Sequence, residues 1–212
     1  MVESDAAAAA AAAPATEIVP EACPRFTLND GTKIPCVGLG TFMMTDNPVE
    51  MVKAAVLKYG YRHIDTAMIY GNEDKIGEAI AAVVAAGVPR EELYITTKLW
   101  HTEKNDVEAA LKGSLERLGL DYVDMYLVHW MRPLVDWESD DWKIKSPPHH
   151  KIWEEMERMV ELGLTKSIGV SNCTIPMLAD LLAGCKIKPA MNQMEVHPYF
   201  QQSAVKRYHQ KW

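Results

Sequence analysis

From Phe26 onward the sequence repeats one unit: a short apolar run, a polar residue at its end, a turn, then a segment of helical periodicity. Few folds accept that pattern. Strands separated by a helix's length pair in parallel, and parallel strands need helical crossovers. That stretch opens with Phe26-Thr27-Leu28, Asn29-Asp30-Gly31 and Lys33-Ile34-Pro35, a small hairpin around an Asp-Gly turn. The spacing then predicts strands at 37–40, 63–66, 94–98, 125–129, 167–170 and 190–194. Helices are expected at 47–59, 72–86, 105–118, 150–162 and 175–183, with another starting near 202. Asn47-Pro48 reads as an N-cap with proline at the first helical position, Asn105 as a second cap, and Gly60, Gly87 and Gly119 as helix stops. The helix at 150–162 places Trp153, Met156, Met159 and Val160 on one apolar face.

Two architectures suit such a series, an open doubly wound sheet and a closed eight-fold barrel. The first should carry G-x-G-x-x-G after its first strand. Here Gly38-Leu39-Gly40-Thr41-Phe42-Met43 has two of the three glycines, and a tight turn explains it equally well; no G-x-x-x-x-G-K-[ST] occurs. With 22 basic against 29 acidic residues, a net charge of -7, the chain does not look like a nucleic-acid binder. No run of 18 apolar residues suggests a membrane span. Cys23, Cys36, Cys173 and Cys185 form no C-x-x-C pair, which argues against zinc and for free thiols in a reducing, cytoplasmic setting. Residues 1–24, with alanine from Ala6 to Ala13 and prolines at 14, 20 and 24, read as a disordered tail. The acidic start and late first arginine fit neither a secretory signal nor a transit peptide.

The informative feature is the polar residue at each strand's end: Asp65, Lys98, His129, Ser171 with Asn172, and Gln193 with Glu195 beyond. Carboxyl ends of successive parallel strands converge on one mouth, where barrel active sites lie. Tyr70 sits on the loop leaving the strand that ends at Asp65. A phenol is a poor acid at neutrality unless a nearby ammonium stabilises its phenolate. Lys98 can do that with Asp65 orienting it, and His129 can hydrogen-bond a carbonyl oxygen. Such a set polarises and protonates a carbonyl. It contains no evident nucleophile, metal site or carboxylate pair, so hydride must come from a nicotinamide.

The segments Gly60-Tyr61-Arg62-His63-Ile64-Asp65-Thr66-Ala67, then Tyr70, Glu73, Ile76 and Gly77, resemble the signature of the aldo-keto reductase family. So do Thr97-Lys98-Leu99-Trp100, Leu127-Val128-His129-Trp130, Gly169-Val170-Ser171-Asn172 and Asn192-Gln193-Met194-Glu195. The resemblance implies a (β/α)8 barrel that reduces aldehydes and ketones with NADPH, less often NADH. It matches Asp65, Tyr70, Lys98 and His129 to the catalytic tetrad, with Tyr70 as proton donor. By the same likeness Asp65, Ser171, Asn172 and Gln193 belong to the cofactor site, and Thr41 contacts the nicotinamide ribose. Phe42, Trp100 and Trp130 line the substrate pocket beside Tyr70 and His129, Phe42 standing where many relatives carry Trp. His63 shares the inward face with Asp65 and is read as a packing residue, as are Trp137, Trp142 and Trp153.

A closed barrel typically takes about 250 residues. This chain of 212 has six predicted strands. The expectation is an incomplete barrel domain at 25–212, with six of eight β-α units, weak or undetectable NADPH binding, and activity left open for this chain. A complete version is expected to be a monomer acting on small carbonyl compounds. Two other functions stay open on residues alone: a non-catalytic remnant or interaction subunit, and an aldolase forming a Schiff base on Lys98.

Overall fold

The computed structural model describes residues 24–131 and 146–211. The tail before Pro24 and most of the 130–148 loop, with Trp137 and Trp142, lie outside the described residues. The chain begins with the expected hairpin, β1 (Arg25–Thr27) and β2 (Lys33–Pro35), antiparallel with Phe26 opposite Ile34. Gly31, at φ 86°, supplies the left-handed turn residue. Six strands follow, β3 (Leu39–Gly40), β4 (His63–Asp65), β5 (Tyr94–Leu99), β6 (Val123–Val128), β7 (Thr165–Ser171) and β8 (Asn192–Gln193). They form one parallel sheet in chain order, curled into half a barrel. The helices are α1 (Pro48–Lys53), α2 (Glu73–Ala85), α3 (Val107–Leu118), α4 (His149–Glu161), α5 (Ile175–Gly184) and α6 (Ser203–His209).

Strand alternation sorts the side chains into two cores. Ile64, Ile95, Leu99, Tyr126, Val128, Ile168 and Val170 point outward and pack with Ile76, Ile80, Leu111, Leu115, Trp153 and Met156 of the helices. Tyr94, Met125 and Leu127 point inward and pack with Ile34 of the hairpin. The hairpin closes the end where the strands begin. There Ser167 donates to Asp30 Oδ2 (2.6 Å), Asn29 to the Pro189 carbonyl (3.0 Å) and Arg25 to the Glu92 carbonyl (2.8 Å). The site end of the sheet is left open.

Two helix details depart from the expected pattern. Asn105 does not cap α3; the neighbouring Asp106 does, accepting from Ala109 N at 2.9 Å. Asn47 holds the N-cap position of α1 in left-handed backbone but makes no side-chain cap bond. The first helix continues as one π-helical stretch, Ala54–Lys58, where the buried Arg62 donates to the Val56 carbonyl (3.2 Å). Strand bounds differ as well: β3 and β8 span two residues each, because each pairs on one side only. Strands β6 and β7, paired on both sides, begin two residues earlier than expected.

Helices α2 and α3 meet without an intervening side chain at Gly77. A Cβ there would stand 2.6 Å from the Leu118 carbonyl oxygen. Gly38 is similarly constrained, since its Cβ would meet the His63 ring at 2.5 Å. His63 itself packs edge-on against Tyr94 (5.2 Å) and bonds Thr96 Oγ1 (3.0 Å), which is the packing role expected. Trp153 is buried too, and its indole N–H donates to the Ile187 carbonyl (2.9 Å).

Candidate active site

Lys98 is the centre of the strand-end cluster. Alternation along β5 turns Thr97 outward and Lys98 inward, and the Lys98 side chain is fully buried. A buried ammonium needs an acceptor for each of its three protons. Lys98 Nζ has them: Asp65 Oδ1 at the end of β4, the Thr66 carbonyl (2.9 Å) and Tyr70 Oη (3.1 Å). Tyr70 reaches this point because Met68–Tyr70 forms one 3-10 turn, closed by Gly71 at φ 67° immediately before α2. Across the open side of the half-barrel, Gln193 donates its amide to Asp65 Oδ2 at 2.7 Å.

His129 follows β6, its backbone N–H held by the Leu99 carbonyl (3.1 Å). Its ring lies edge-on to Tyr70 at 5.7 Å and to Trp100 at 5.0 Å. Burial, reinforced by the Lys98 ammonium, pushes the imidazole down to about 4, so it is neutral at pH 7. Its Nδ1 is buried and makes no hydrogen bond among the described residues. Phe42 packs on the other side of Tyr70 at 5.0 Å and is two-thirds exposed. Trp130 is half-buried, its carbonyl accepting from Lys104 Nζ (2.6 Å). Phe42 and Trp100 thus flank the tyrosine–histidine pair. Trp130 lies on a neighbouring cleft of about 460 Å³, which it shares with Asn172, Ile175 and Met194.

The expected cofactor residues separate into two groups. Ser171, Asn172 and Gln193 stand together at the ends of β7 and β8: Asn172 has left-handed backbone (φ 54°) and donates to the His129 carbonyl and Ser171 Oγ, both at 3.1 Å. Its own N–H donates to the Gln193 carbonyl at 2.8 Å. Thr41 is fully buried instead, and both its backbone N–H (3.0 Å) and hydroxyl (3.1 Å) donate to the Asp65 carbonyl. It anchors the end of β4. Cys173, next to Asn172, is buried and its thiol is pushed up to about 12, so it is not a nucleophile at neutral pH. Among the described residues no group of three His, Cys, Asp or Glu side chains is placed to hold a metal ion.

Residues that local pattern did not single out support the cluster. Asn72, at the start of α2, does not cap the helix; its amide donates to the Thr41 carbonyl (2.9 Å) and its oxygen accepts from Thr66 (3.3 Å). Glu73 is buried and accepts from Thr97 Oγ1 and from Arg117. Glu73 had a signal in its place after Tyr70 in the quoted signature; Asn72 had only its place at the start of the expected helix at 72–86.

A parallel half-barrel with a lysine–aspartate–tyrosine cluster and a histidine at the carboxyl ends of its strands defines an α/β-barrel site. The chain belongs to the aldo/keto reductase family, whose model matches residues 36–211. It is 46% identical over 194 residues to glycerol 2-dehydrogenase (NADP(+)) of Saccharomyces cerevisiae, covering 84% of this chain and 61% of that protein. It is 42% identical to aldose reductase C of Dictyostelium discoideum, covering 88% and 63%. Among solved structures, the Bombyx mori aldo-keto reductase in complex with NADP superposes with a TM-score of 0.81 at 38% identity, over 89% of this chain and 63% of that one. The chain therefore spans about three-fifths of the length of these relatives.

Proposed function

We propose that the protein reduces aldehydes and ketones to alcohols with NADPH, Tyr70 delivering the proton to the carbonyl oxygen. One observation carries this: the Tyr70 hydroxyl lies 3.1 Å from a buried ammonium whose other partners are the Asp65 carboxylate and a main-chain carbonyl. The phenolate left after proton transfer would face that ammonium, where little water screens the attraction. The neutral His129, edge-on to Tyr70 at 5.7 Å, is suited to hydrogen-bond the substrate oxygen without carrying charge into the site. Phe42 and Trp100 form apolar walls on either side.

The residues present fit a nicotinamide. Ser171, Asn172 and Gln193 offer a hydroxyl and two side-chain amides, the donors and acceptors a carboxamide requires. When bound there, the nicotinamide supplies the hydride. Gln193 would exchange its bond to Asp65 for the carboxamide, leaving Asp65 to hold Lys98. Relatives named for NADP(+) or solved in complex with NADP support the same assignment.

The geometry weighs against a Schiff base on Lys98. An amine nucleophile needs a free lone pair, whereas all three Lys98 protons already have acceptors. The test is aldehyde-dependent loss of NADPH absorbance, measured for the wild type and Tyr70→Phe. Tyr70→Phe is expected to lose about 100-fold or more in kcat, the scale of a missing general acid. Undiminished turnover in that variant would refute the proton-donor assignment.

A further inference from the structure

We propose that Glu73 is a positioning residue for the Tyr70–Lys98 pair, an inference that rests on the role given to that pair above. The Glu73 side chain is 1% exposed, yet it is a carboxylate in the layer between sheet and helices. Its Oε1 accepts from Thr97 Oγ1 at 2.6 Å, and its Oε2 accepts from two nitrogens of Arg117, each at 2.8 Å. Thr97 is the residue before Lys98, facing the opposite side of β5. Glu73 itself comes three residues after Tyr70, at the first position of α2. One carboxylate therefore ties the strand carrying the ammonium to the helix that follows the phenol.

The stretch between the two has little other freedom. Gly71 turns the chain, and Asn72 bonds Thr41 and Thr66. With Asn72 bonded to Thr41 and Thr66, just beyond β3 and β4, and Glu73 bonded to Thr97 of β5, the turn bearing Tyr70 is held from both sides. Stability alone gives a weak reason for such an arrangement. Burying a carboxylate is costly, and a well-packed apolar residue of similar size often serves as well or better. Arg117 is 41% exposed, so solvent weakens its pairing. What an apolar residue cannot do is fix a direction, and the Lys98–Tyr70 contact is a single hydrogen bond that tolerates little displacement.

The experiment compares Glu73→Leu, Glu73→Gln and Thr97→Val with Val83→Ala, a core truncation on the same helix away from the site. Glu73→Leu is expected to lower kcat for NADPH-dependent carbonyl reduction by about 10- to 100-fold, as misplacement of a reacting group does. Its KM values should stay within about twofold, since no binding group is removed. Thr97→Val should follow in the same direction, and Glu73→Gln, which keeps an acceptor for Thr97, should recover most of kcat. Val83→Ala should lose stability with kcat unchanged. A crystal structure of Glu73→Leu, or of Thr97→Val should the first not fold, reads the geometry directly: the Nζ–Oη separation should open beyond hydrogen-bond range. Retained kcat in folded Glu73→Leu and Thr97→Val overturns the proposal, as does a variant structure with the contact unchanged. If the wild type itself turns over no carbonyl, the functional assignment falls, while the crystal structure still decides whether Glu73 sets the contact.

Discussion

Gly77→Ala sets two opposing effects against each other on one methyl group. In an isolated helix, alanine is better than glycine by about 1 kcal/mol. In this structure the added Cβ would stand 2.6 Å from the Leu118 carbonyl oxygen, 2.7 Å from its carbon and 2.8 Å from the Arg117 carbonyl oxygen. Ordinary C···O contact begins near 3.3 Å, so α2 and α3 must separate by roughly 0.7 Å. The end of α3 cannot easily yield: Leu118 is buried, Gly119 has φ 64°, and Gly119 and Leu120 bond back to Glu116 and Leu115. Overpacking against rigid backbone costs about 3 kcal/mol at the upper end of its range, which outweighs the propensity gain. The net expectation is a loss of about 2 kcal/mol, or roughly 4–8 °C in Tm for a chain this size. Gly113→Ala is the control. Its Cβ meets only the flexible end of Arg117, at 3.2 Å, so the propensity gain should prevail and Tm should rise by a few degrees. Thermal unfolding followed by circular dichroism measures both. A Gly77→Ala Tm equal to or above wild type would show that the close helix approach has been misjudged.

Three other outcomes follow from the site and the hairpin. The folded value of His129, about 4, lies below the unfolded value of about 6.5, so the unfolded chain binds the extra proton as pH falls between them. Stability is therefore lost over that window, by about 3 kcal/mol at most from this group, with His63, lowered chiefly by burial, adding in the same direction. Urea unfolding at pH 7.5 and 5 should show a smaller loss for His129→Asn than for the wild type; equal losses would contradict the assignment. Asp30→Ala removes acceptors for Thr32 and Ser167 and should cost about 1–2 kcal/mol, with faster hydrogen exchange in β2 and near-wild-type exchange in α2. Lys98→Met leaves Asp65 with Gln193 as its remaining side-chain donor among the described residues; it should abolish carbonyl reduction while the protein still folds, which NADPH turnover and a melting curve together decide.

The strand-end residues were legible because two periods coincide in the sequence. Alternation within each strand decides which side chains face inward, and the β-α spacing brings the strand ends to one level. Asp65, Lys98 and Tyr70 could thus be placed together before any contact was known. The cap on α3 was not decidable at the same level, since Asn105 and Asp106 are adjacent and both are good cap residues. Asn72 carried a helix-start signal, but its side chain is used by Thr41, 31 residues earlier. The environment of Glu73 was less accessible still. Its partners come from β5 and α3, 24 and 44 residues away, and no local periodicity encodes that meeting. The short edge strands have a simpler cause: 37–40 and 190–194 have strand-like sequences, but pairing on one side alone sustains two residues of each.

The hairpin that floors the half-barrel has a consequence for the order of assembly. Each sheet strand pairs with the one made just before it, so the sheet can grow as the chain emerges. The hairpin is synthesised ahead of all of them, yet three of its side-chain bonds are to residues 135, 137 and 160 positions later, while Arg25 reaches the Glu92 carbonyl 67 positions later. Closing the longer loops costs little more than closing shorter ones, because the entropy grows only with the logarithm of length, but those three bonds cannot form until β7 and the approach to β8 exist. Tyr94, Met125 and Leu127 accordingly pass through much of synthesis uncovered. We expect the floor to be the last part of the core to seal.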